Sequence, residues 1–99
     1  MRVISKRHLQ EFWRGNAGTE ASLATWHQVV SQTNWENFAE LRRTFRSADQ
    51  VGRLTVFNVK GNDLRVIARI DYHKQILWVR TVCTHTEYDT NDWKKDGWF

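Results

Sequence analysis

The sequence lacks the features that mark secreted and membrane proteins. Cys83 is the only cysteine among the 99 residues, which excludes an internal disulfide and gives no reason to expect secretion. No uninterrupted apolar run approaches the length of a membrane span, and the opening segment 1–4 is too short for a signal peptide. We therefore expect a cytoplasmic protein that does not contact a membrane.

Signals for a metal or a cofactor are also missing. Two histidines and two aspartates near the candidate strands are too scattered along the sequence to have the spacing of metal ligands. They are His73, His85, Asp71 and Asp89. Segment 60–62 is a tight turn and not a phosphate-binding glycine loop. Cys83 lies two residues from His85, but a buried, inert thiol is the better interpretation than a catalytic pair. We predict that the protein uses neither a metal nor a cofactor.

The composition indicates one small globular domain with a positive surface. We assign residues 1–99 to a single domain, since 40% apolar and 26% charged residues are ordinary values. There is no proline, and six tryptophans exceed what so small a core can bury, so we expect one or two at a partner surface. The net charge is +4, and residues 53–80 carry six Lys and Arg against two Asp. Such a patch suits phosphate-bearing partners.

Three apolar-alternating runs organise the chain. Residues 54–59, 64–72 and 76–82 are separated by turn-like segments, which predicts an antiparallel meander. Alternation places eight apolar residues on one face. They are Phe57, Val59, Leu64, Val66, Ala68, Ile70, Leu77 and Val79. The opposite face then carries Asn58, Lys60, Arg65, Arg69, Trp78 and Arg80. We predict a core against the first face and an open second face for an anionic ligand.

The remaining segments are predicted from their periodicity. We expect an edge strand at 2–4, a helix after Ser5 to about Arg14, and a helix from Glu20 to about Gln32 capped by Thr19. A weaker helix is predicted over 35–45, a loop over 47–50 and a short tail over 93–99. The two N-terminal helices should cover the aliphatic face, which gives an α+β fold.

Two strings resemble a known family. FNVKGNDLRVIARIDY (57–72) and THTEYD (84–89) are similar to the F-N-[IV]-x-G-N-x-[YL]-R-[VL]-[IV] and T-H-x-x-Y-D patterns of HigB-type toxins, which belong to the RelE superfamily of bacterial type II toxin–antitoxin systems. The likeness covers about residues 50–90. It departs at Lys60-Gly61, where many members have Gly-Gly, and at Leu64, where many have an aromatic residue.

The resemblance implies a RelE-like fold, with N-terminal helices packed on one face of a small antiparallel sheet. It also implies an endoribonuclease toxin (an mRNA interferase) that cleaves mRNA, usually on the ribosome, and so inhibits translation. Its expected partners are mRNA, the ribosome and a cognate helix-turn-helix antitoxin in a hetero-oligomer. The residues leave a second reading open, in which the basic sheet belongs to a non-catalytic RNA- or protein-binding module.

Metal-free RNA cleavage uses the substrate's own 2′-hydroxyl and needs charge stabilisation and proton transfer. Arg65 matches the arginine of the family string and is the candidate stabiliser; the alternative is a solvated strand arginine. His85 is the candidate proton-transfer group, unless it only hydrogen-bonds the strand end. Tyr88 could donate a proton or stack on a base, or be a half-buried structural tyrosine. Asp89 would orient His85 or an arginine.

Four further residues are predicted to bind RNA without taking part in the chemistry: Asn58, Lys60, Arg69 and Arg80. The cluster of Arg42, Arg43 and Arg46 is a solvated helix face or an extension of the RNA footprint. For the antitoxin, we expect an apolar groove on the helical side formed by Trp13, Trp26 and Trp93, because tryptophan is enriched in binding hot spots.

Overall fold

The computed structural model describes residues 1–61 and 63–99. The elements in chain order are β1 (Arg2–Ile4), α1 (Lys6–Gly15), α2 (Glu20–Ser31), α3 (Phe38–Thr44), β2 (Asp49–Val51), β3 (Leu54–Val59), β4 (Leu64–Asp71), β5 (Ile76–Thr84), α4 (His85–Asp89) and a 3₁₀ helix (Asp92–Lys95). The α+β class is as predicted. Asn62, part of the predicted turn and of the family string, lies outside the described residues. None of the helices described here combines the length and apolarity needed to cross a bilayer.

The five strands form one sheet in the order β1-β5-β4-β3-β2. The meander of β3, β4 and β5 is antiparallel, as predicted. β1 pairs with β5 in parallel, with Arg2 opposite Ile76, so the sheet is mixed and not wholly antiparallel. The parallel pairing is possible because the helices lie between these strands in the chain and provide the long connection that it requires.

The segment predicted as a loop over 47–50 contains part of a strand instead. Asp49–Val51 forms β2, an edge strand antiparallel to β3. The reversal occurs at Gly52, whose φ of 59° lies in the left-handed region that glycine adopts without strain. A three-residue strand is too short to show alternation, so its pattern could not be read from the sequence.

The first face of the sheet holds the larger core. Seven of the eight apolar residues predicted for this face are buried, and Ile70 is partly buried; Phe57, Val66, Leu77 and Val79 have no exposed surface. Leu9, Leu23, Val30 and Leu41 from the helices pack against it. Trp26 and Phe45 each form an edge-to-face pair with Phe57, with ring centroids 5.2 and 5.1 Å apart. The predicted register and the helical cover are therefore confirmed.

The helix ends differ from the predictions in detail. Ser5 precedes α1 in a left-handed conformation, and Thr19 donates its hydroxyl proton to the Asn16 carbonyl, so neither side chain caps a helix N–H. α3 begins at Phe38 rather than residue 35, because the Asn37 side chain accepts from the Glu40 N–H. Trp35 lies before this helix and is buried.

The second face is covered, which contradicts the prediction of an open surface. On this face, apolar residues lie next to the polar residues of β3 and β4. They are Leu54, Val56 and Ile67, and they form a second core with Cys83 and Trp93. Residues 85–99 supply the cover, because Tyr88 and Phe99 pack against the same cluster. The register is nevertheless right, since Val66 is buried on the first face and Arg65 points to the second.

A β-bulge in β5 adds one residue to this strand that has no partner in β4. Ile67 is opposite Thr81 and Ala68 is opposite Val79, so Arg80 has no Cα partner in β4. Val79 before the bulge and Val82 after it both contact the first core. The bulge thus keeps both ends of β5 in register with the core while adding one residue, Arg80, to the second face.

Two of the three tryptophans predicted to form an antitoxin groove are buried. Trp26, Trp35 and Trp93 are 3%, 3% and 8% exposed, and Trp93 lies on the second face. An antitoxin groove formed by Trp13, Trp26 and Trp93 on the helical side is therefore wrong. Among the large hydrophobic residues of the described chain, only Trp98 is exposed, at 37%.

Candidate functional site

The short helix α4 brings the candidate site residues to the end of β5. Thr84 and Glu87 form a capping box: the Thr84 hydroxyl accepts from the Glu87 N–H (3.2 Å), and the Glu87 carboxylate accepts from the Thr84 N–H (3.0 Å). The His85 N–H also donates to the Asp63 carbonyl in the β3–β4 turn (2.9 Å). The sequence analysis missed this helix, although Thr-x-x-Glu is a signal for a helix start.

Arg65 and His85 are in direct contact. A terminal nitrogen of the guanidinium, Nη2, lies 3.0 Å from His85 Nδ1, and Nη1 donates to the Leu64 carbonyl at 3.1 Å. Arginine has no acceptor, so Nδ1 must be the acceptor in this contact. The neutral imidazole therefore carries its proton on Nε2, which is an inference from the contact and not an observed hydrogen.

The second imidazole nitrogen faces a carboxylate. His85 Nε2 lies 3.4 Å from Asp89 Oδ2, one turn later on α4. The predicted contact between Asp89 and His85 is thus present. Both side chains are open to solvent, with exposures of 46% for His85 and 61% for Asp89. The site consequently has an accessible imidazole whose two nitrogens meet a cation and an anion.

Arg65 is much less accessible than predicted, because it is only 6% exposed. The open second face assumed for it is covered by Tyr88 and Trp93. Its guanidinium carbon lies 5.3 Å from the centroid of the Tyr88 ring, within the range of a cation–π contact. A cation in this poorly hydrated position acts over a longer distance than one on the surface. Arg65 therefore lies beneath His85 and Tyr88 as a fixed positive charge.

Tyr88 is held in place by Trp93, a residue that the sequence analysis did not assign to the site. The two rings stack with centroids 5.1 Å apart and planes 11° apart, and Trp93 Nε1 donates to the Tyr88 carbonyl at 3.0 Å. Burial, and then the Asp49 carboxylate, raise the pKa of Tyr88 above its usual 10.0, while Arg65 opposes the shift. The Tyr88 hydroxyl therefore keeps its proton near neutral pH and can donate it.

Cys83 lies beside the site but is inert. It is buried, as predicted, and burial raises its thiol pKa to about 11; the nearby Glu87 contributes to the rise and Arg65 opposes it. The thiol therefore stays protonated and unreactive near neutral pH. Within residues 1–61 and 63–99, no three His, Cys, Asp or Glu side chains are grouped so that they could hold a metal ion.

The four predicted RNA-binding residues lie in different places. Asn58 is half-buried on β3, directly across from Arg65. Lys60 is exposed, and its ammonium lies beside Gly18 in the α1–α2 turn. A β-carbon added to Gly18 would be 3.9 Å from the Lys60 Nζ. Only Asn58 is thus adjacent to the Arg65–His85 pair by strand pairing.

Arg69 and Arg80 lie nearer the other end of the second face. Arg69 is opposite Trp78 and lines a separate groove. Arg80 binds both oxygens of Asp96, at 2.9 and 3.0 Å, so its charge is already paired within the protein. This pairing was not predicted, because Asp96 is in the segment read as a tail.

Comparison with known proteins identifies the family of the chain. The family model of HigB toxins, the RelE-like toxic component of a toxin–antitoxin system, matches residues 19–91. A protein named mRNA interferase HigB from Escherichia coli O6:H1 is 30% identical over 92 residues, covering 90% of this chain and 89% of that protein. The mRNA interferase toxin HigB of Escherichia coli K12 and the mRNA interferase HigB of Shigella flexneri are each 29% identical, covering 90% of this chain and 88% of theirs. The matched region contains the meander and α4, and with them Arg65, His85 and Tyr88; the chain belongs to the HigB family of RelE-like toxins.

Proposed function

We propose that this toxin is an mRNA interferase, an endoribonuclease that inhibits translation in the cytoplasm by cleaving mRNA on the ribosome without a metal. The relatives in Escherichia coli and Shigella flexneri are named as mRNA interferases. The observation that carries the proposal is the contact between the buried Arg65 cation and the exposed His85 imidazole, 3.0 Å apart. It combines a charge that can stabilise a phosphorane with an imidazole that can accept or donate a proton.

The reaction conserves all atoms and needs no co-reactant. The 2′-oxygen of a nucleotide attacks the adjacent phosphorus, and the bond from phosphorus to the 5′-oxygen breaks. The 2′-hydroxyl proton leaves to a base, and a proton reaches the 5′-oxygen from an acid. The products are a 2′,3′-cyclic phosphate and a 5′-hydroxyl end.

The geometry favours His85 Nδ1 as the base. Nε2–H points to Asp89, which orients the ring and stabilises the imidazolium that forms, as a carboxylate does for a catalytic histidine. Nδ1 and the Arg65 guanidinium are in direct contact, so a phosphate that displaces this contact meets both groups. A phosphate oxygen is the stronger acceptor for the guanidinium, and its binding releases Nδ1 to take the 2′ proton.

Tyr88 is the proposed proton donor to the 5′-oxygen. It lies three residues after His85, on the same face of α4, and its raised pKa keeps the hydroxyl protonated. Asn58, across the sheet from Arg65, is proposed to hydrogen-bond the substrate. Lys60, Arg69 and Arg80 remain predicted RNA contacts, and the pairing of Arg80 with Asp96 makes it the weakest of them.

Purified protein incubated with ribosomes translating a defined mRNA tests the proposal, with the new RNA ends mapped and their chemistry identified. We expect cyclic phosphate ends with wild type and a rate roughly 100-fold lower with His85→Ala. His73→Ala is the matched control, because it removes an exposed histidine from the β4–β5 turn. An mRNA with a 2′-deoxynucleotide at the cleaved position should remain intact.

Two outcomes would contradict the proposal. Binding to RNA without any new ends would favour the non-catalytic binding module. Equal cleavage by wild type and His85→Ala would remove the imidazole from the chemistry. A slower reaction on naked RNA that persists in excess chelator would support the absence of a catalytic metal, and the same reaction without ribosomes measures how much they contribute. Co-expression with a helix-turn-helix antitoxin should abolish cleavage and give a stable complex.

A further inference from the structure

A groove opens at the end of the second face away from α4. Its volume is about 500 Å³, and its walls include Arg53, Arg69, Trp78 and Trp98. Trp98 is the exposed tryptophan noted above, and residues 92–99 lie outside the family match. Membership of the family therefore assigns no role to this indole.

The Trp98 ring is exposed but held in place. The Trp78 ring meets it edge-on, with centroids 5.8 Å apart and planes 76° apart. The Arg80 guanidinium carbon lies 4.0 Å from the Trp98 centroid, and Asp96 fixes Arg80 through two hydrogen bonds. Asp96 also accepts from the Trp98 N–H at 2.9 Å. An aromatic ring fixed before binding loses little conformational entropy when a ligand packs on it.

The groove also carries a net positive charge. Arg53 and Arg69 line it, whereas Arg80 next to it is neutralised by Asp96. Asp71 is the one carboxylate in the wall, and one of its oxygens accepts from the Lys74 N–H. Two guanidinium groups beside a flat indole suit a ligand with both an anionic group and a flat ring. A nucleotide has both, whereas an acidic peptide would pair with the arginines and leave the indole without a flat partner.

The groove lies on the same face as the Arg65–His85 pair. Arg69 follows Arg65 by four residues on β4, which corresponds to about 13 Å along the strand. Ile67 lies between these two arginines on β4 and belongs to the second core, to which Trp93 and Phe99 also contribute. A single RNA strand that reaches both places must therefore cross the surface of residues 92–99, where Lys94 and Lys95 are exposed.

We propose that this groove binds an unpaired nucleotide of the RNA substrate away from the cleaved bond, with its base stacked on Trp98 and its phosphate bound by Arg53 and Arg69. The inference rests on the proposed function, because it extends the binding site of the same RNA. Its role is affinity and positioning, so Trp98 takes no part in the chemistry.

Binding of RNA oligonucleotides with a 2′-deoxynucleotide at the cleaved position tests the proposal. Starting from the shortest RNA that binds, the strand is lengthened on the 5′ side and then on the 3′ side, and the Kd is measured by fluorescence anisotropy. For wild type we expect a gain of about 10-fold or more when one side reaches the groove, the size expected for one stacked base. Trp98→Ala should lose that gain and bind the shortest RNA like wild type, while Trp98→Phe should keep most of it.

A second variant provides an independent readout of the phosphate contact. Arg69→Ala should weaken binding of the long RNA and reduce the slope of log Kd against log salt by about 0.7, the value for one phosphate contact on a single strand. Arg7→Ala is the matched control, since it removes an exposed arginine from α1, and it should leave the slope unchanged. Thermal unfolding of each variant verifies that it is folded.

The outcomes separate this inference from the proposed function. If wild type cleaves mRNA and Trp98→Ala binds RNA of every length like wild type, the groove proposal is overturned and the proposed function stands. If Trp98→Ala leaves RNA binding unchanged but weakens the complex with the antitoxin, the groove is a protein-binding site and the proposal is again overturned. If wild type neither binds nor cleaves RNA, both fail.

Discussion

The two faces of the sheet are covered by different parts of the chain and contain different residues. α1 and α2 precede the meander and cover the first face, where the inward positions of β4 are all aliphatic. Residues 85–99 follow the meander and cover the second face, where Arg65 shares the same strand side with Ile67. Across residues 1–61 and 63–99, Arg65 is the one charged residue that is buried.

This difference separates stability from function within one small sheet. Replacing a buried ion pair by well-packed apolar residues is often neutral or stabilising, so the burial of a charge is by itself weak evidence for a role in stability. Arg65 touches the exposed His85 and lies under the Tyr88 ring, and both residues are candidates for the chemistry. We infer that the first face stabilises the fold. The second face holds a buried charge next to the site proposed for the substrate.

The largest expected effect tests the first face. Phe57→Ala removes a fully buried ring that contacts Trp26 and Phe45, and it should lower the free energy of unfolding by about 3–5 kcal/mol. Chemical denaturation of the purified protein measures this change. A loss below about 1 kcal/mol would mean that the helical side is not the main source of stability.

Arg65→Ala tests the second face, where we expect a large loss of activity and only a small loss of stability. Losing one charge-stabilising group typically raises the barrier by about 2.7–4 kcal/mol, so we expect roughly 100- to 1000-fold slower mRNA cleavage and loss of growth arrest. The midpoint of thermal unfolding should stay within a few degrees of wild type. A variant that unfolds as readily as Phe57→Ala would show that Arg65 is a structural residue and would remove the distinction between the faces.

Asp96→Asn tests how residues 92–99 are held to the second face. The hydrogen bond from Arg80 lowers the pKa of Asp96 below its usual 3.8, so the carboxylate stabilises the folded state above that pH. This contribution is lost as the pH falls below 3.8 through the folded pKa. At pH 7 the variant should be less stable by about 1 kcal/mol, since Arg80 is partly exposed.

The pH dependence provides the control for that substitution. The difference between wild type and Asp96→Asn, measured by thermal unfolding, should shrink as the pH falls below about 3.8. A difference that stays constant down to strongly acidic pH would indicate an effect of the amide itself and not of the ion pair.

The effect that is smallest near neutral pH concerns Cys83. Burial raises its pKa from 9.0 to about 11, so the folded protein holds the thiol proton over a pH range in which the unfolded chain releases it. Stability should therefore fall slightly as the pH rises above 9, and alkylation by iodoacetamide at pH 8 should be slow until denaturant is added. Rapid alkylation of the folded protein would show that the second core is open at Cys83.

The sequence predicted the first face better than the second. Strict alternation placed Val59, Leu64 and Val66 correctly on the first face, because a one-residue shift would have moved the whole row to the other face. The second face mixes apolar and charged residues in one row, so the pattern named Arg65 and Arg69 but not the core formed by Leu54, Val56 and Ile67.

The parts of the site that were missed depend on distant contacts. The capping box of α4 was legible in Thr84 and Glu87, but the stacking of Trp93 on Tyr88 and the pairing of Asp96 with Arg80 join segments that no local pattern links. The bulge at Arg80 likewise depends on strand pairing. The sequence therefore predicted which residues are candidates for the site, but it did not predict how deeply they are buried.

The position of the covering segment in the chain has a consequence for the timing of synthesis. Ribosomes add about 5–20 residues per second, so residues 85–99 are completed about one to three seconds after the last strand. His85, Tyr88 and Trp93 are therefore synthesised after every helix and strand that forms the first core. The groups proposed for the chemistry join a scaffold whose main apolar core is encoded entirely upstream of them.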